Sequence, residues 1–191
     1  MATTLILASA SPRRQELLNQ IAIRYHVHPT AIDETPYDNE DPLSYVKRMA
    51  EEKSAACALH FPEHTAILAA DTSVVVNQHI LGKPTDKHDA IRMLRSLSGI
   101  THWVYTAVSL RSHKHDLVVS KSEVTFKPLS DAEIDAYWQS GEPLDKAGAY
   151  AIQGRGGIFV SHINGSFSGI VGLPLYETSQ LLALHGIYPT V

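Results

Sequence analysis

The run AILAADTSVVV, residues 66–76, is the most apolar stretch of the chain, and a carboxylate stands at its centre. Its valines and alanines predict a buried strand, and the run is far too short to cross a bilayer, which takes about 20 residues. A carboxylate inside such a strand is costly unless a cation or hydrogen bonds meet it. Either the strand stops at Ala70 and Asp71 opens a turn, or the fold brings a partner to Asp71. A lysine elsewhere is misplaced in the complementary sense. On the helix predicted after Asp41, residues Val46, Ala50, Lys53 and Cys57 share one face, which puts Lys53 on the inward stripe. Snorkelling to the helix edge is the other reading of that lysine.

Around residues 66–76 the chain alternates strands and helices, without internal repeats or low-complexity linkers, and this predicts a mixed α/β fold. A strand over 4–9 runs into a helix from Pro12 to about Gln20, with Ser11 as its cap. Strand-like sequence over 24–32 leads to a polar loop, and a helix capped by Asp41 runs from Pro42 to roughly Leu59. Residues 79–84 are placed to form a hairpin with 66–76. Thr85 or Asp86 caps a helix with an apolar face of Ala90, Met93, Leu94 and Leu97, stopped at Gly99. Strands over 101–112 and 117–127 flank the polar SHKHD turn. Ser130 and Glu133 form the pattern of a capping box for a helix ending near Gly141. After a glycine-rich passage, strands are predicted around 158–163 and 168–172, then a helix from Pro174 to His185 stopped by Gly186. With 191 residues, 44% of them hydrophobic, the chain can bury a sizeable core. No boundary is sharp enough to divide it, so residues 1–191 read as one unit: an elongated mixed sheet flanked by helices, two lobes and a central cleft between them.

Charge narrows the function. The formal net charge is -4, which argues against a general basic grip on nucleic acid or on an anionic membrane, and makes any positive site a local one. Cys57 is the one cysteine, so no intrachain disulfide can form, and a reducing, cytoplasmic setting is the simpler expectation. The N-terminal run lacks the basic n-region of a signal peptide. Of the eleven histidines, the pairs His26/His28 and His113/His115 lack a second ligand cluster at zinc spacing and read as solvated surface residues. The adjacent Arg13 and Arg14 are less ordinary. A helix start already carries partial positive charge and attracts acidic side chains, so two arginines there imply an external anion. Lys83 projects from a backbone stiffened by the following proline, and the glycines at 154, 156 and 157 let backbone approach a ligand closely. Taken singly, Lys83, Glu34 and these glycines are ordinary loop features. Taken together, Arg13, Arg14, Lys53 and Lys83 are local cations on an acidic chain, while Glu34 and Asp71 are carboxylates suited to a hard divalent cation. Helix-start amides and the hydroxyls of Ser9 and Ser11 add donors. This is the chemistry of a polyphosphate site.

The motifs LASASPRRQELL, the lysine of AEEKSAA, AADTSVVV, LGKP, SGEPLDKAGAYAIQG and INGSFSGIVGLP, in that order over nearly the whole chain, resemble those of the Maf family of nucleoside triphosphate pyrophosphatases. The resemblance implies an α/β fold related to inosine triphosphate pyrophosphatases, and cleavage of a nucleoside triphosphate between its α and β phosphates with a divalent cation, Mg²⁺ or Mn²⁺. Carried over by motif, Asp71 is the proton acceptor, and Arg13, Thr72 and Gln153 tune substrate choice. Ser9, Arg14, Lys53 and Lys83 contact phosphate, and Glu34 joins Asp71 at the metal. SPRR with AIQG resembles the branch acting on dTTP and UTP. The branch acting on 7-methyl-GTP carries a bulky aromatic after SP and a glutamate in place of the glutamine. The resemblance further implies a homodimer, a small-molecule substrate, and neither a nucleic-acid polymer nor a membrane as partner. Two alternatives stay open: the same chemistry on another base, and a nucleotide-binding regulator of septum formation or cell division.

Overall fold

In the computed structural model, which describes residues 5–190, strand β3 runs unbroken from Ala66 to Val76, so Asp71 lies inside a strand and opens no turn. β1 (Leu5–Leu7) and β2 (Tyr25–Val27) join it in parallel, and β5 (Thr101–Arg111), β6 (His115–Phe126) and β7 (Val160–Asn164) extend the sheet antiparallel. The order is β2-β1-β3-β5-β6-β7, with β4 (His79–Leu81) paired to the far end of β3. Asn77 and Gln78 both take positive φ in the turn between β3 and β4, as a tight two-residue hairpin requires. Thr4, placed at the head of the first strand by sequence, lies outside the described residues.

Among the described residues six helices pack on the sheet: α1 (Pro12–Gln20), α2 (Pro42–Ala58), α3 (Lys87–Leu97), α4 (Asp131–Gln139), α5 (Phe167–Val171) and α6 (Leu175–Leu184). Asp41 and Asp86 cap α2 and α3 through the amides of Ser44 and Asp89, and both halves of the Ser130–Glu133 capping box are formed. Three expectations are corrected. Residues 168–172, predicted as a strand, form α5, because the Ser166 side chain caps the Gly169 amide and turns the run helical. The strand predicted over 24–32 shortens to Tyr25–Val27, ending ahead of Pro29, which has no amide to donate to a ladder. Residues 155–159, partly assigned to a strand, form a 3-10 turn.

Alternation along the strands divides one sheet face into two apolar clusters. Ala66, Leu68 and Ala70 of β3 pack with Val108 and Leu110 of β5 and with Leu17, Leu18 and Leu181 beneath α1 and α6. Val74 and Val76 pack with Val104, Val124 and Phe126 and with Leu94 and Ile134 beneath α3 and α4. Between them on the same face lie Thr72, Thr106 and Ser120, paired across three strands. The two lobes meet at this polar row. On the opposite face α2 seats Val46 and Ala50 on Ala107, and Cys57 on Ile67 and Ala69.

His102 is enclosed in the cluster beneath α3 and α4, edge-on to Phe126 and Tyr150, with Nε2 2.9 Å from the Tyr150 hydroxyl and Nδ1 without a partner among the described residues. It is 1% exposed, and burial pushes its pKa down to about 4. Between the ordinary value near 6.5 and about 4 the unfolded chain binds a proton at this residue that the folded chain refuses. Denaturant titrations from pH 7 to pH 4 should therefore show the wild type losing roughly 3 kcal/mol more stability than His102→Leu. Parallel pH profiles for the two proteins would refute this.

Candidate functional site

On its open edge β3 pairs with β1 only over Ala66–Leu68 and with β4 only over Val74–Val76. Among the described residues no strand covers that edge from Ala69 to Ser73, and the gap lies at the polar row. Ser9 and the start of α1 enter it from β1, and Lys83 enters from β4. Because successive side chains of a strand point to opposite faces, Asp71 faces α2 and Thr72 faces α1 and α5.

On the α2 side the Lys53 ammonium donates to Asp71 Oδ1 at 2.8 Å and meets Glu34 Oε1 at 2.6 Å. The lysine on the inward stripe and the carboxylate in the apolar strand are each other's partners. Glu34 sits on the polar loop, which is fixed there by a bond from the Tyr45 hydroxyl to the Glu34 carbonyl at 2.9 Å. Partial burial by itself would raise the Glu34 carboxyl. The hydrogen bond and charge of Lys53, with Lys83 and Arg14 behind it, outweigh that and hold it below the usual carboxylate range.

On the other side Arg14 joins three elements. Its Nε donates to the Gly172 carbonyl at 2.9 Å, its Nη1 to Ser9 Oγ at 3.1 Å and its Nη2 to Thr72 Oγ1 at 3.4 Å. Gly172 takes φ 133° at this contact, a conformation that glycine adopts freely. Desolvation lowers the Arg14 guanidinium from its ordinary value, opposed chiefly by the charge of Asp71. The Thr106 hydroxyl donates to the Gly169 carbonyl at 2.7 Å, so in its 2.9 Å bond with Thr72 it must accept. A hydroxyl has one proton, and that of Thr72 is committed here, so Thr72 has only acceptor capacity left to offer. Ser9 is the converse: it accepts from Arg14 and from the Ser11 amide at 3.2 Å, which leaves its own proton for a ligand. Ser11, expected to cap α1, makes no side-chain cap, and no acidic residue lies in the first turn. α1 starts three residues after Ser9, and the unpaired amides of such a helix start carry partial positive charge.

Ser9, Arg14, Glu34, Lys53, Asp71 and Thr72 are thus gathered at one gap. Arg13 and Lys83 stand close enough for their charges to act on Arg14 and Glu34, and the side chains of Arg13, Lys83 and Gln153 make no hydrogen bond to another described residue. Gln153 is exposed on the turn closed by the Gly154 amide on the Ala151 carbonyl at 3.2 Å. Its neighbour Ile152 packs against both apolar clusters, which sets the turn at the junction of the lobes. Lys146 was missed by the sequence reading. Burial first, and then the charge of Arg13 with a further part from Lys83, lower its ammonium from the ordinary value. A bond from the Gly148 amide to the Gly82 carbonyl at 3.0 Å ties its loop beside Lys83. A solitary lysine carries no periodic signal, so nothing in the sequence marked it.

The donor set suits a hard cation. Two carboxylates converge on one point, the Lys53 ammonium, and Glu34 is 48% exposed at its side chain. Mg²⁺ is commonly held by one or two carboxylates, with substrate oxygens and water completing its shell.

The family model for Maf-like proteins matches residues 4–185. A protein from Myxococcus xanthus is 51% identical over 97% of this chain and 94% of its own. Proteins from Pseudoalteromonas atlantica and Vibrio cholerae are each 50% identical, covering 94% and 93% of this chain and 95% and 96% of theirs. All three are named dTTP/UTP pyrophosphatase. Among solved structures, a HAM1 protein from Coxiella burnetii aligns at 15% identity with TM-score 0.49, over 96% of this chain and 100% of that one.

Removing one partner of a buried ion pair strands the other charge. Lys53→Met should therefore destabilise the fold by about 3 kcal/mol, and Asp71→Asn added to it should restore at least half of that, as measured in a denaturant double-mutant cycle. Additive losses would show that the two side chains are not coupled.

Proposed function

The chain belongs to the Maf family, and from that premise and the chemistry of the gap we propose that it hydrolyses dTTP and UTP to the monophosphate and pyrophosphate. It is a hydrolase of nucleoside triphosphates, with a house-cleaning role that keeps non-standard nucleotides such as modified uridine triphosphates low. The observation that carries the reading is the convergence of Asp71 and Glu34 with Arg14, Lys53 and an uncapped helix start on one opening in the sheet.

The triphosphate lies across the opening, its phosphates met by Ser9, Arg14, Lys53 and Lys83 and by the α1 amides. Lys53, shared by two carboxylates in the free protein, is the cation best placed to turn toward phosphate. Water attacks the α-phosphorus, the bond to the β-phosphate oxygen breaks, and Asp71 takes the water proton. A carboxylate is a feeble base toward bulk water. A divalent cation on Asp71 and Glu34 would supply the acidified water and polarised phosphate that this base needs. Arg14 and the lysines stabilise charge developing on the pyrophosphate. Gln153 presents an acceptor and a donor, matching the N3–H and O4 of uracil or thymine. No helix among the described residues is long and apolar enough to cross a membrane. The family likeness favours a homodimer, and the substrates favour the cytoplasm.

A panel of nucleoside triphosphates with pyrophosphate release as readout, run with and without Mg²⁺ or Mn²⁺, tests the reading. UTP and dTTP should lead, and removal of the metal should stop turnover. Binding of nucleotides without metal-dependent release would favour the regulator instead.

Asp71→Asn should lower kcat at least about 100-fold, the usual worth of a general base, with UTP binding kept within about threefold. Near-normal turnover by that variant would remove Asp71 from the reaction. Gln153→Glu, whose carboxylate only accepts, should lower kcat/KM for UTP and dTTP by about tenfold while sparing GTP. An equal loss on every nucleotide would make Gln153 a structural residue.

A further inference from the structure

Glu142 stands outside the gap, yet its carboxylate is the busiest acceptor next to it. Oε1 receives the Tyr137 hydroxyl at 2.7 Å and the Gly156 amide at 2.9 Å, and Oε2 receives the Arg155 amide at 2.9 Å. The Tyr137 hydroxyl accepts in turn from the Ala151 amide at 3.1 Å. These bonds hold the backbone on both sides of the turn Ala151–Gly154, and Gln153 is the third residue of that turn. The fit is close: a Cβ on Gly154 would collide with the Glu142 carboxyl, and one on Gly156 would lie 2.6 Å from the Tyr137 oxygen. Burial tends to raise the Glu142 carboxyl, but the Gly156 amide, the Tyr137 hydroxyl and the Arg155 amide more than offset it and hold it below the usual range. Ionised, Glu142 can only accept, and the groups facing it are donors. The charge of Arg13 also reaches the Tyr137 hydroxyl, so the same pair borders a second residue to which the family resemblance gives a part in substrate choice.

We infer that Glu142, together with Tyr137, is the positioning pair for base recognition: it fixes the turn that presents Gln153 to a pyrimidine. The inference rests on the reading of Gln153 given above. Gln153 has no hydrogen bond of its own within the described chain, so its amide reaches N3–H and O4 together only if its backbone is held. Phosphate binding, carried by Arg14, Lys53 and the α1 amides across the gap, does not depend on that turn.

Glu142→Gln keeps the shape but points amide hydrogens at donors, and Tyr137→Phe removes the bridge to the Ala151 amide while leaving the carboxylate. For Glu142→Gln the KM for UTP should rise about tenfold, kcat should stay within about threefold, and the UTP to GTP ratio of kcat/KM should fall about tenfold. Inhibition by inorganic tripolyphosphate should not change by more than about twofold. Tyr137→Phe should move the same quantities less, and it keeps the inference open to refutation if Glu142→Gln fails to fold. Discrimination that survives in both variants, or equal weakening of UTP and tripolyphosphate, would overturn the inference alone. Wild-type protein that releases no pyrophosphate from UTP would overturn the nucleotide reading and this inference with it.

Discussion

Side chains alternate along an extended strand, and in β3 that rule separates two consecutive residues by the thickness of the sheet. Asp71 goes to the α2 face and Thr72 to the α1 and α5 face. Everything in the site follows from this division. The face toward α2 assembles carboxylates around Lys53, and the other face assembles hydroxyls around Arg14. One ligand can reach both halves because, among the described residues, no strand pairs with β3 over Ala69–Ser73 on the edge away from β5, so chemistry on both faces is accessible from one edge. A continuous partner strand would have covered that edge and kept the halves apart.

The same alternation explains why the molecule has lobes. Thr72, Thr106, Ser120 and Ser122 interrupt the apolar face between the two clusters, and α5 and its cap cover them with backbone: Thr106 bonds the Gly169 carbonyl, and Ser122 receives the Ser166 amide at 2.9 Å. A short helix is a suitable cover, since its unpaired terminal groups have bonds to offer a polar strip. Arg14 then joins α1, the residue that closes α5 and the polar row through one guanidinium, whose planar fork can serve three acceptors at once.

Much of this was legible in the sequence, and the unread parts share a cause. Caps and stops were readable because they depend on side chains within three or four residues: Asp41, Asp86, and Ser130 with Glu133. The strain between Asp71 and Lys53 was readable because each violated the polarity of its own element, although no local rule said that they would meet. Ser11 failed as a cap because its amide turned to Ser9 while its side chain stayed unused. Residues 168–172 misled because five residues with two apolar members fit either period. Thr106, Glu142 and Lys146 were invisible for another reason. Each is an ordinary residue in its own neighbourhood, and its part depends on groups distant along the chain, such as Gly156 for Glu142, Gly169 for Thr106 and Arg13 for Lys146.

The charge balance of the opening explains how an acidic chain can hold a polyanion. In the free protein Lys53 and Arg14 are engaged: Lys53 by Asp71 and Glu34, and Arg14 by Gly172, Ser9 and Thr72, with the field of Asp71 upon it. These two cations roughly cancel the two carboxylates. The surplus comes from Arg13, Lys83 and Lys146, which border the opening, and from the uncapped start of α1. Burial depresses the Lys146 ammonium most, and the charges of Arg13 and Lys83 depress it further against the opposing carboxylates of Asp145 and Glu142, so three cations share this border. Such crowding costs free energy until an anion arrives. The repulsion relieved on binding then adds to the attraction gained, so a cluster that weakens the fold locally strengthens its hold on phosphate.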